Sequence, residues 1–222
     1  EKGDTTSIPH NFVTQLLLDK KKNLWILTGD GKVGTFDTKR FIYHEATVKV
    51  KNTEVLTIDR ELIEDEQGHL FLIFHNNEFI TWNEERKEFA AIHNFINLPD
   101  GWQFVDVLQQ PGTKKYWIGR REGIAVYNLE TKQLSYSGHN VENEPLINKW
   151  GTVAVPNNML FDKRGRLWFD TWLGSATIFC YDLKKRQPVL DQYYLNSIID
   201  GYFETRGFME QEDSTIWVKG LN

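Results

Sequence analysis

The chain has 222 residues, of which 40% are hydrophobic and 14% aromatic, so it is long enough to bury a substantial core as one domain. Its formal net charge is -5 and it has no long basic run, which argues against nucleic acid as a partner. No run approaches the roughly 18 apolar residues that a transmembrane helix needs. The single cysteine, Cys180, cannot form an intramolecular disulfide, and we expect it to be a small buried hydrophobe.

The first informative stretch, Leu16 to Asp37, consists of short apolar runs separated by turns rich in Asp, Asn, Lys and Gly. This pattern is typical of a β-meander. The strands, called A to D from the innermost outward, are predicted at Phe12 to Leu18, Leu24 to Thr28, Lys32 to Asp37 and Phe41 to Glu45. Between strands B and C, Gly29 to Gly31 indicates a turn that needs positive φ.

The same pattern returns along the chain around five anchor residues. They are Trp25, Phe71, Trp117, Trp168 and Trp217, separated by 46, 46, 51 and 49 residues. A period of about 40–50 residues with several strands in each repeat predicts a β-propeller. The predicted fold class is therefore all-β: a β-propeller fragment of about four and a half blades, each a four-stranded antiparallel sheet. The repeats are 7–50, 51–97, 98–148, 149–199 and the truncated 200–222.

The later blades depart from the first mainly in their connections. Their outer strands are predicted at Phe89 to His93, Leu134 to Tyr136 and Val189 to Tyr194. A long polar insertion, Ser137 to Trp150, follows the third blade. Within it, Glu142 to Asn148 is predicted to be a loop, because the segment is short and contains Pro145. Since the first residue is Glu1 and the last repeat stops early, we expect a piece of a longer protein.

Two sets of repeated residues are interpreted as structural. The four anchor tryptophans are predicted to pack between neighbouring blades. Asp19, Asp65 and Asp162 are predicted to cap the A–B turns by accepting hydrogen bonds from backbone N–H groups.

The repeat resembles a known family. The shared pattern is Asp-x-x-Gly/Asn-x-Leu-Trp-Ile-x-Thr/Gly-x-x-Gly-x-x-x-Phe/Tyr-Asp/Asn, and it is similar to the two-component regulator propeller repeat. The lead-in Ser7 to Asp19, SIPHNFVTQLLLD, is similar to the blade opening of that family. The copies at Trp25 and Trp168 match closely, the copy at Trp117 matches apart from its turn, and the copy at Phe71 lacks the tryptophan.

The resemblance implies the periplasmic sensor region of a hybrid two-component histidine kinase, the extracytoplasmic part of an inner-membrane protein. Propellers of this family usually have seven blades. The implied partners are therefore the missing blades and the downstream sensor domains of the same protein, together with an oligosaccharide ligand. A homodimer is also expected, because an open propeller exposes strand edges and a blade face. The kinase would lie elsewhere in the protein, so the chain itself is predicted not to be an enzyme.

The candidate ligand site is predicted on the face where the B–C turns and the D–A connections emerge, because these segments vary most between repeats. Aromatic rings there suit the apolar face of a sugar, and an Arg can grip a carboxylate in a bidentate manner. The predicted ligand-binding residues are Arg120, Arg121, Trp172, Asp170, His75, Trp102 and Trp150. Asn76, Glu122, Lys219 and Tyr202 belong to the same group of loops.

No catalytic residue, metal site or cofactor is predicted. The six histidines show no metal-binding spacing, and there is no nucleophile elbow and no phosphate-binding glycine loop. Two other functions stay open at this point. One is a propeller enzyme of the polysaccharide lyase or hydrolase type, and the other is a propeller that only binds proteins.

Overall fold

A computed structural model describes residues 6–50, 60–74, 78–92, 95–96, 98–153, 155–171, 177–195, 198–199 and 203–221. The chain divides into two compact units, Glu1–Phe95 and Ile96–Asn222. None of the described helices is long and apolar enough to cross a membrane.

The first unit contains two blades. The first blade is a sheet in the order β1-β2-β3-β4, formed by Val13–Leu18, Leu24–Thr28, Val33–Asp37 and Ile42–Glu45. The second blade contains β6 to β9, formed by Arg60–Glu64, Leu70–Phe74, Phe79–Asn83 and Glu88–Ala91. Within each blade, neighbouring strands are antiparallel.

A fifth strand, which the sequence did not predict, joins the second blade. This strand, β5, is Thr47–Val48 and pairs in parallel with β9. It lies in the connection that leaves the first blade. Ala46 is buried and Val48 packs against the same apolar cluster, so the connection is held by its apolar side chains as well as by the edge of β9.

The second unit contains two further blades and a hairpin. The third blade comprises β10 to β13, at Phe104–Gln109, Lys115–Arg120, Gly123–Asn128 and Gln133–Ser135. The fourth comprises β14 to β17, at Pro156–Phe161, Arg166–Thr171, Thr177–Asp182 and Gln187–Tyr194. The hairpin pairs β18, Glu204–Glu210, with β19, Ile216–Leu221. The predicted class is confirmed: the chain is all-β apart from one short helix among the described residues, and its blades are antiparallel sheets.

That helix corrects one prediction. The segment predicted to be a loop contains α1, Pro145–Trp150. Pro145 occupies the first turn, where the missing N–H leaves no helical hydrogen bond unmade, so it permits the helix that it was taken to exclude. The helix is anchored by its buried residues Leu146, Ile147 and Trp150.

Anchor tryptophans pack between blades as predicted. Trp25 is 2% exposed and meets Trp82 of the second blade edge to face, at 4.9 Å between ring centroids. Trp117 is fully buried in a cluster that includes residues of the fourth blade. Trp168 lies 6.2 Å from Phe208 of the hairpin. Edge-to-face and tilted aromatic pairs of this kind contribute packing area and favourable ring electrostatics.

The prediction for Trp217 is not tested, because the described residues include no blade after the hairpin. The side chain of Trp217 is 60% exposed. The next residue of β19, Val218, packs into the apolar cluster of Trp168, and adjacent residues of a strand point to opposite faces. Trp217 therefore lies on the outer face of the hairpin.

The prediction that aspartates cap the A–B turns is confirmed. Backbone N–H groups of each turn donate hydrogen bonds to the carboxylate of Asp19, Asp65 or Asp162. Asp162 also binds side chains: Trp168 Nε1 donates to its Oδ2 at 2.9 Å, and Arg166 Nε at 2.5 Å. Burial acts to raise the pKa of Asp162, but the hydrogen bonds from Trp168 and Arg166 outweigh it and the pKa is lowered. The capping residue thus fixes the turn and the anchor tryptophan together.

The second blade preserves this arrangement with different residues. In the first blade Trp25 Nε1 donates to Asp19 Oδ2 at 2.9 Å. In the second blade Phe71 has no donor, and His69 Nδ1 lies 2.8 Å from Asp65 Oδ2 instead. The carboxylate of Asp65 therefore keeps a polar side-chain partner even though this repeat has lost its tryptophan.

We predict that Asp162→Ala lowers the free energy of unfolding by about 3 kcal/mol, because several charge-assisted hydrogen bonds are lost and buried donors are left unpaired. Urea denaturation would measure this loss. Asp182→Ala is the matched control: Asp182 caps only the exposed C–D turn, by accepting from Lys185 N at 2.9 Å, and its removal should cost about 1 kcal/mol. Equal losses for the two variants would contradict the proposed importance of the A–B cap.

The A–B turns also connect neighbouring blades. Lys20 N donates to Glu64 of the second blade at 2.9 Å, and Lys163 N donates in the same way to Glu210 of the hairpin at 2.9 Å. Between the third and fourth blades the corresponding residue is Pro111, which has no N–H to donate. These turns therefore hold adjacent blades in register where the repeat keeps its lysine.

Candidate functional site

In the second unit, the B–C turn and the following D–A connection of the third blade lie together, as the predicted strand order requires. Val155 N donates to Arg121 O at 3.3 Å. Gly123 has φ +137, and a Cβ there would stand 1.8 Å from Gly151 O, so this approach requires glycine. The predicted candidate loops of this blade therefore do share one face.

The strongest arrangement on that face is a stack around Arg120, at the end of β11. The guanidinium carbon lies 3.8 Å from the centre of the Trp102 ring and 5.7 Å from that of Tyr136. The two rings meet edge to face at 5.0 Å, and the Tyr136 ring is followed by His139 at 5.2 Å. Cation–π contact at this distance stabilises the charged side chain against the aromatic faces. We call Trp102, Arg120 and Tyr136 the aromatic stack.

Arg120 is only 6% exposed and is incompletely paired. Its Nη1 contacts Glu122 Oε2 at 3.3 Å, whereas its Nε has no hydrogen-bond partner within the part of the chain that the structure describes. Burial lowers the pKa of the Arg120 guanidinium, and Glu122 partly offsets that effect. The arginine is nevertheless a permanent cation at physiological pH, because its ordinary pKa is far above that range.

Arg121, the next residue, is exposed. It therefore presents a cation to solvent beside the buried one. Glu122 is also exposed, and it is the partner of Arg120 rather than of Arg121 in the described contacts. The turn as a whole carries two positive charges and one negative charge.

Trp150, a predicted ligand residue, lies in the core instead. It is 3% exposed, and its ring meets Phe169, Phe179 and Tyr181 at 5.2–5.7 Å. Its Nε1 donates to Asp191 Oδ1 at 3.0 Å. Both its face and its donor are occupied, so we leave Trp150 out of the candidate site.

Asp170 is completely buried at a blade interface and is not part of the aromatic stack. Its Oδ2 accepts from Asn158 Nδ2 at 2.8 Å. Burial raises the pKa of Asp170 to about 6, and Glu204 adds to this effect, while Asn158 and Thr205 oppose it. Because Thr205 and Glu204 belong to the hairpin, the carboxyl group couples the fourth blade to β18.

The remaining candidates lie outside the aromatic stack. His75 and Trp172, with Asn76 and Tyr202, lie outside the described residues. Lys219 is exposed on β19. Cys180 is fully buried, and burial raises the pKa of its thiol to about 12, so the prediction of a core hydrophobe is confirmed. Among the described residues, no group of three or more His, Cys, Asp or Glu side chains could hold a metal ion.

Sequence reasoning missed Tyr136 and Asn158. Tyr136 falls just after a short outer strand, where nothing in the repeat marks it. Asn158 has φ 51 and lies in an irregularity of β14, between its pairs at Asn157 and Leu160. The adjacent Asn157 and Asn158 were a usable signal, because asparagine tolerates the left-handed conformation better than other residues with a side chain.

The sequence model of the two component regulator propeller family matches residues 7–30. The chain carries a two component regulator propeller repeat. The resemblance predicted from the repeated residues is thus confirmed, and the matched segment is the lead-in and first hairpin of the first blade. A comparison with curated proteins gave no match.

Solved structures with the same fold come from B. thetaiotaomicron. The extracellular domain described as that of hybrid two component system BT3049 is 16% identical, with a TM-score of 0.59, and the match covers 98% of this chain and 27% of that one. For hybrid two component system BT4673 the values are 18%, 0.66, 98% and 28%. A second BT4673 structure, described as a one component system, gives 15%, 0.63, 95% and 29%.

These structures show the fold that the two component regulator propeller repeat predicts. The chain spans a little over a quarter of the length of each of them.

Proposed function

We propose that this chain is part of the extracytoplasmic, ligand-sensing propeller of a hybrid two-component sensor, and that it recognises an acidic carbohydrate fragment at the third blade. The matched repeat and the extracellular domains that share the fold support the sensor role. The observation that carries the choice of ligand is the aromatic stack with its two adjacent arginines.

In this proposal Trp102, Arg120 and Arg121 have separate roles. Trp102 is half-buried and offers ring surface on which the apolar face of a pyranose can stack. Arg120 stacks over one face of that ring, with its guanidinium carbon 3.8 Å from the ring centre, so a sugar would use the opposite face. Arg121 is exposed, and its guanidinium group can donate two parallel hydrogen bonds to a uronate carboxylate. A ring-bearing anion matches this combination better than a neutral sugar does.

In this proposal the chain binds and transmits, and the kinase chemistry lies in another part of the protein. Its partners are further blades, the downstream sensor domains of the same protein and a second copy of the sensor. The buried coupling of the fourth blade to the hairpin through Asp170 is one route by which a change at one blade would reach the next.

We predict that Arg121→Ala weakens the binding of uronate-containing oligosaccharides at least tenfold, because a charge-assisted contact is lost. Trp102→Ala should weaken it further, because Arg120 also loses its covering ring. The measurement is calorimetric titration with a panel of uronate and neutral oligosaccharides, together with thermal shift, since a ligand of the folded state raises Tm.

Arg164→Ala is the control for this experiment. Arg164 is an equally exposed arginine, but it lies in an A–B turn, so its removal should leave binding unchanged. Uronate binding that survives Arg121→Ala, or that falls equally with Arg164→Ala, would refute the assignment of the face. Absence of any carbohydrate binding would shift the proposal to a protein partner.

A further inference from the structure

The first unit contains a cleft that the proposed function does not use. It lies where the first and second blades meet, at the end from which their A–B and C–D turns emerge. Its volume is about 420 Å³, within the range of roughly 300–1,000 Å³ that small-molecule sites occupy. The residues that line it are Asn23, Trp25, Thr35, His44, Glu45, Ala46, Trp82, Glu84 and Lys87.

We propose that this cleft, here called the rim cleft, binds an uncharged sugar of one or two rings. The proposal does not rest on the proposed function, because it concerns other residues and the other turns of the blades. Three features of the cleft carry it: an aromatic wall, polar groups with hydrogen-bonding capacity to spare, and a lining charge that disfavours anions.

The wall is formed by Trp82, the penultimate residue of β8. Its ring is held by Trp25 at 4.9 Å and by Phe89 at 5.2 Å, and its Nε1 donates to Glu84 Oε2 at 3.0 Å. The indole is therefore fixed in orientation while remaining half-buried. A ring held in this way can stack on the apolar face of a sugar with little loss of side-chain entropy.

In the second unit, the residue equivalent to Trp82 is covered by another side chain. Tyr181 is the equivalent penultimate residue of the fourth blade, and it is 1% exposed. Trp150 of α1 covers it at 5.6 Å, in a cluster with Leu146 and Ile147. In the first unit the described part of the corresponding connection, 46–50, contributes Ala46, Val48 and Val50 to the cluster against which Trp82 packs, and Trp82 is half-buried. The partial exposure of this aromatic ring is therefore a property of the second blade and not of the repeat in general.

Hydroxyl, imidazole and amide groups line the cleft around the ring. Thr35 and His44 are cross-strand neighbours of β3 and β4. Neither makes a side-chain hydrogen bond among the described residues, although both line the cleft. Asn23 uses its Nδ2 to donate to Asp19 at 2.9 Å, so its side-chain carbonyl oxygen remains as an acceptor. These donors and acceptors suit sugar hydroxyl groups.

The charged residues of the lining set the class of sugar. Glu84 is paired with Lys87 and lies 3.7 Å from Lys21, and Glu45 is paired with Lys32 at 3.0 Å. The lining itself therefore holds two carboxylates and one ammonium group, that of Lys87, and this excess of negative charge disfavours an acidic ligand. A second, more open depression of about 630 Å³ shares Asn23, Thr35 and His44 with the cleft and could accommodate a longer chain.

The test titrates the 222-residue chain with maltose, cellobiose, lactose and xylobiose, and compares glucose with glucuronate, by ligand-observed NMR and tryptophan fluorescence. We expect at least one neutral disaccharide to bind with Kd about 1 mM, and glucuronate to bind more weakly than glucose. Thr35→Val and His44→Ala should each weaken binding about fivefold, the effect of one net hydrogen bond.

Two controls separate this proposal from the earlier one. Thr81→Val makes the same substitution at the equivalent strand position of the second blade, outside the cleft, and should leave Kd unchanged. Arg121→Ala should also leave the Kd of the neutral sugar unchanged, whereas it should weaken uronate binding at the third blade at least tenfold. The proposal is overturned if no neutral sugar binds, if both cleft variants bind like the parent chain, or if glucuronate binds more tightly than glucose.

Discussion

Trp117→Ala is expected to lower the free energy of unfolding by about 3–5 kcal/mol, the usual loss when a buried tryptophan is truncated. Trp117 is fully buried in the cluster that joins the third blade, α1 and the fourth blade. Its Nε1 donates to Gln110 Oε1 at 2.9 Å, so the substitution also leaves a polar group of the A–B turn unpaired. Urea denaturation followed by circular dichroism would measure the change.

The chain supplies its own control for this prediction. Trp217 holds the same position of the repeat, but its side chain is 60% exposed. Trp217→Ala should therefore cost less than about 1 kcal/mol, because little apolar surface is removed from contact. A similar loss for the two variants would mean that burial of the anchor tryptophan between blades is not what stabilises the blade.

Asp170→Asn is expected to stabilise the protein above pH 6. The pKa of Asp170 is about 6 in the folded protein and 3.8 ordinarily, so burial opposes ionisation of the carboxyl group. At about 1.4 kcal/mol per pKa unit, the ionised form loses about 3 kcal/mol of stability at neutral pH. An amide keeps the shape of the side chain without the charge, and it can still accept the bond from Asn158.

The sign of the pH effect follows from proton linkage. The folded state holds a proton on Asp170 between pH 3.8 and about 6, where the unfolded state has released it. The contribution of this group is therefore fully present below pH 3.8 and is lost as the pH rises through about 6. The advantage of Asp170→Asn over the parent chain should accordingly grow across this interval and then level off.

Unfolding free energies of the parent chain and of Asp170→Asn at pH 4.5 and pH 8 would test this. Asp182→Asn is a suitable comparison, since its carboxylate caps an exposed turn and does not lie buried at a blade interface. A difference between parent and Asp170→Asn that does not change with pH would show that the carboxyl group ionises in the fold without penalty.

The blades were predictable because their signals are local. Each strand is a short apolar run bounded by turn residues, and five copies in period reinforce one another. The cap at Asp162 was predictable for the same reason, since donor and acceptor lie within four residues. The helix at Pro145 was not predicted: the sequence shows the proline, but whether it starts or breaks a helix depends on whether the residues after it have a core to enter.

The candidate site was only partly predictable. Arg120 was found because it departs from the repeat, but its contact with Trp102 brings together residues from different connections. Trp150 was assigned to the site from its sequence position, and the packing of α1 moved it into the core. Trp82 was overlooked, because a penultimate aromatic residue is ordinary in this repeat and only the missing cover makes it a wall.

The sequence by itself determined that this protein is a series of antiparallel blades with the two component regulator propeller repeat, because period, turn chemistry and capping are written in neighbouring residues. The tertiary structure alone decided which departures from the repeat are exposed and which are buried. That difference arises because exposure depends on what the next blade or connection places over a residue: Trp150 of a helix covers Tyr181, whereas Trp82 is half-buried among the described residues.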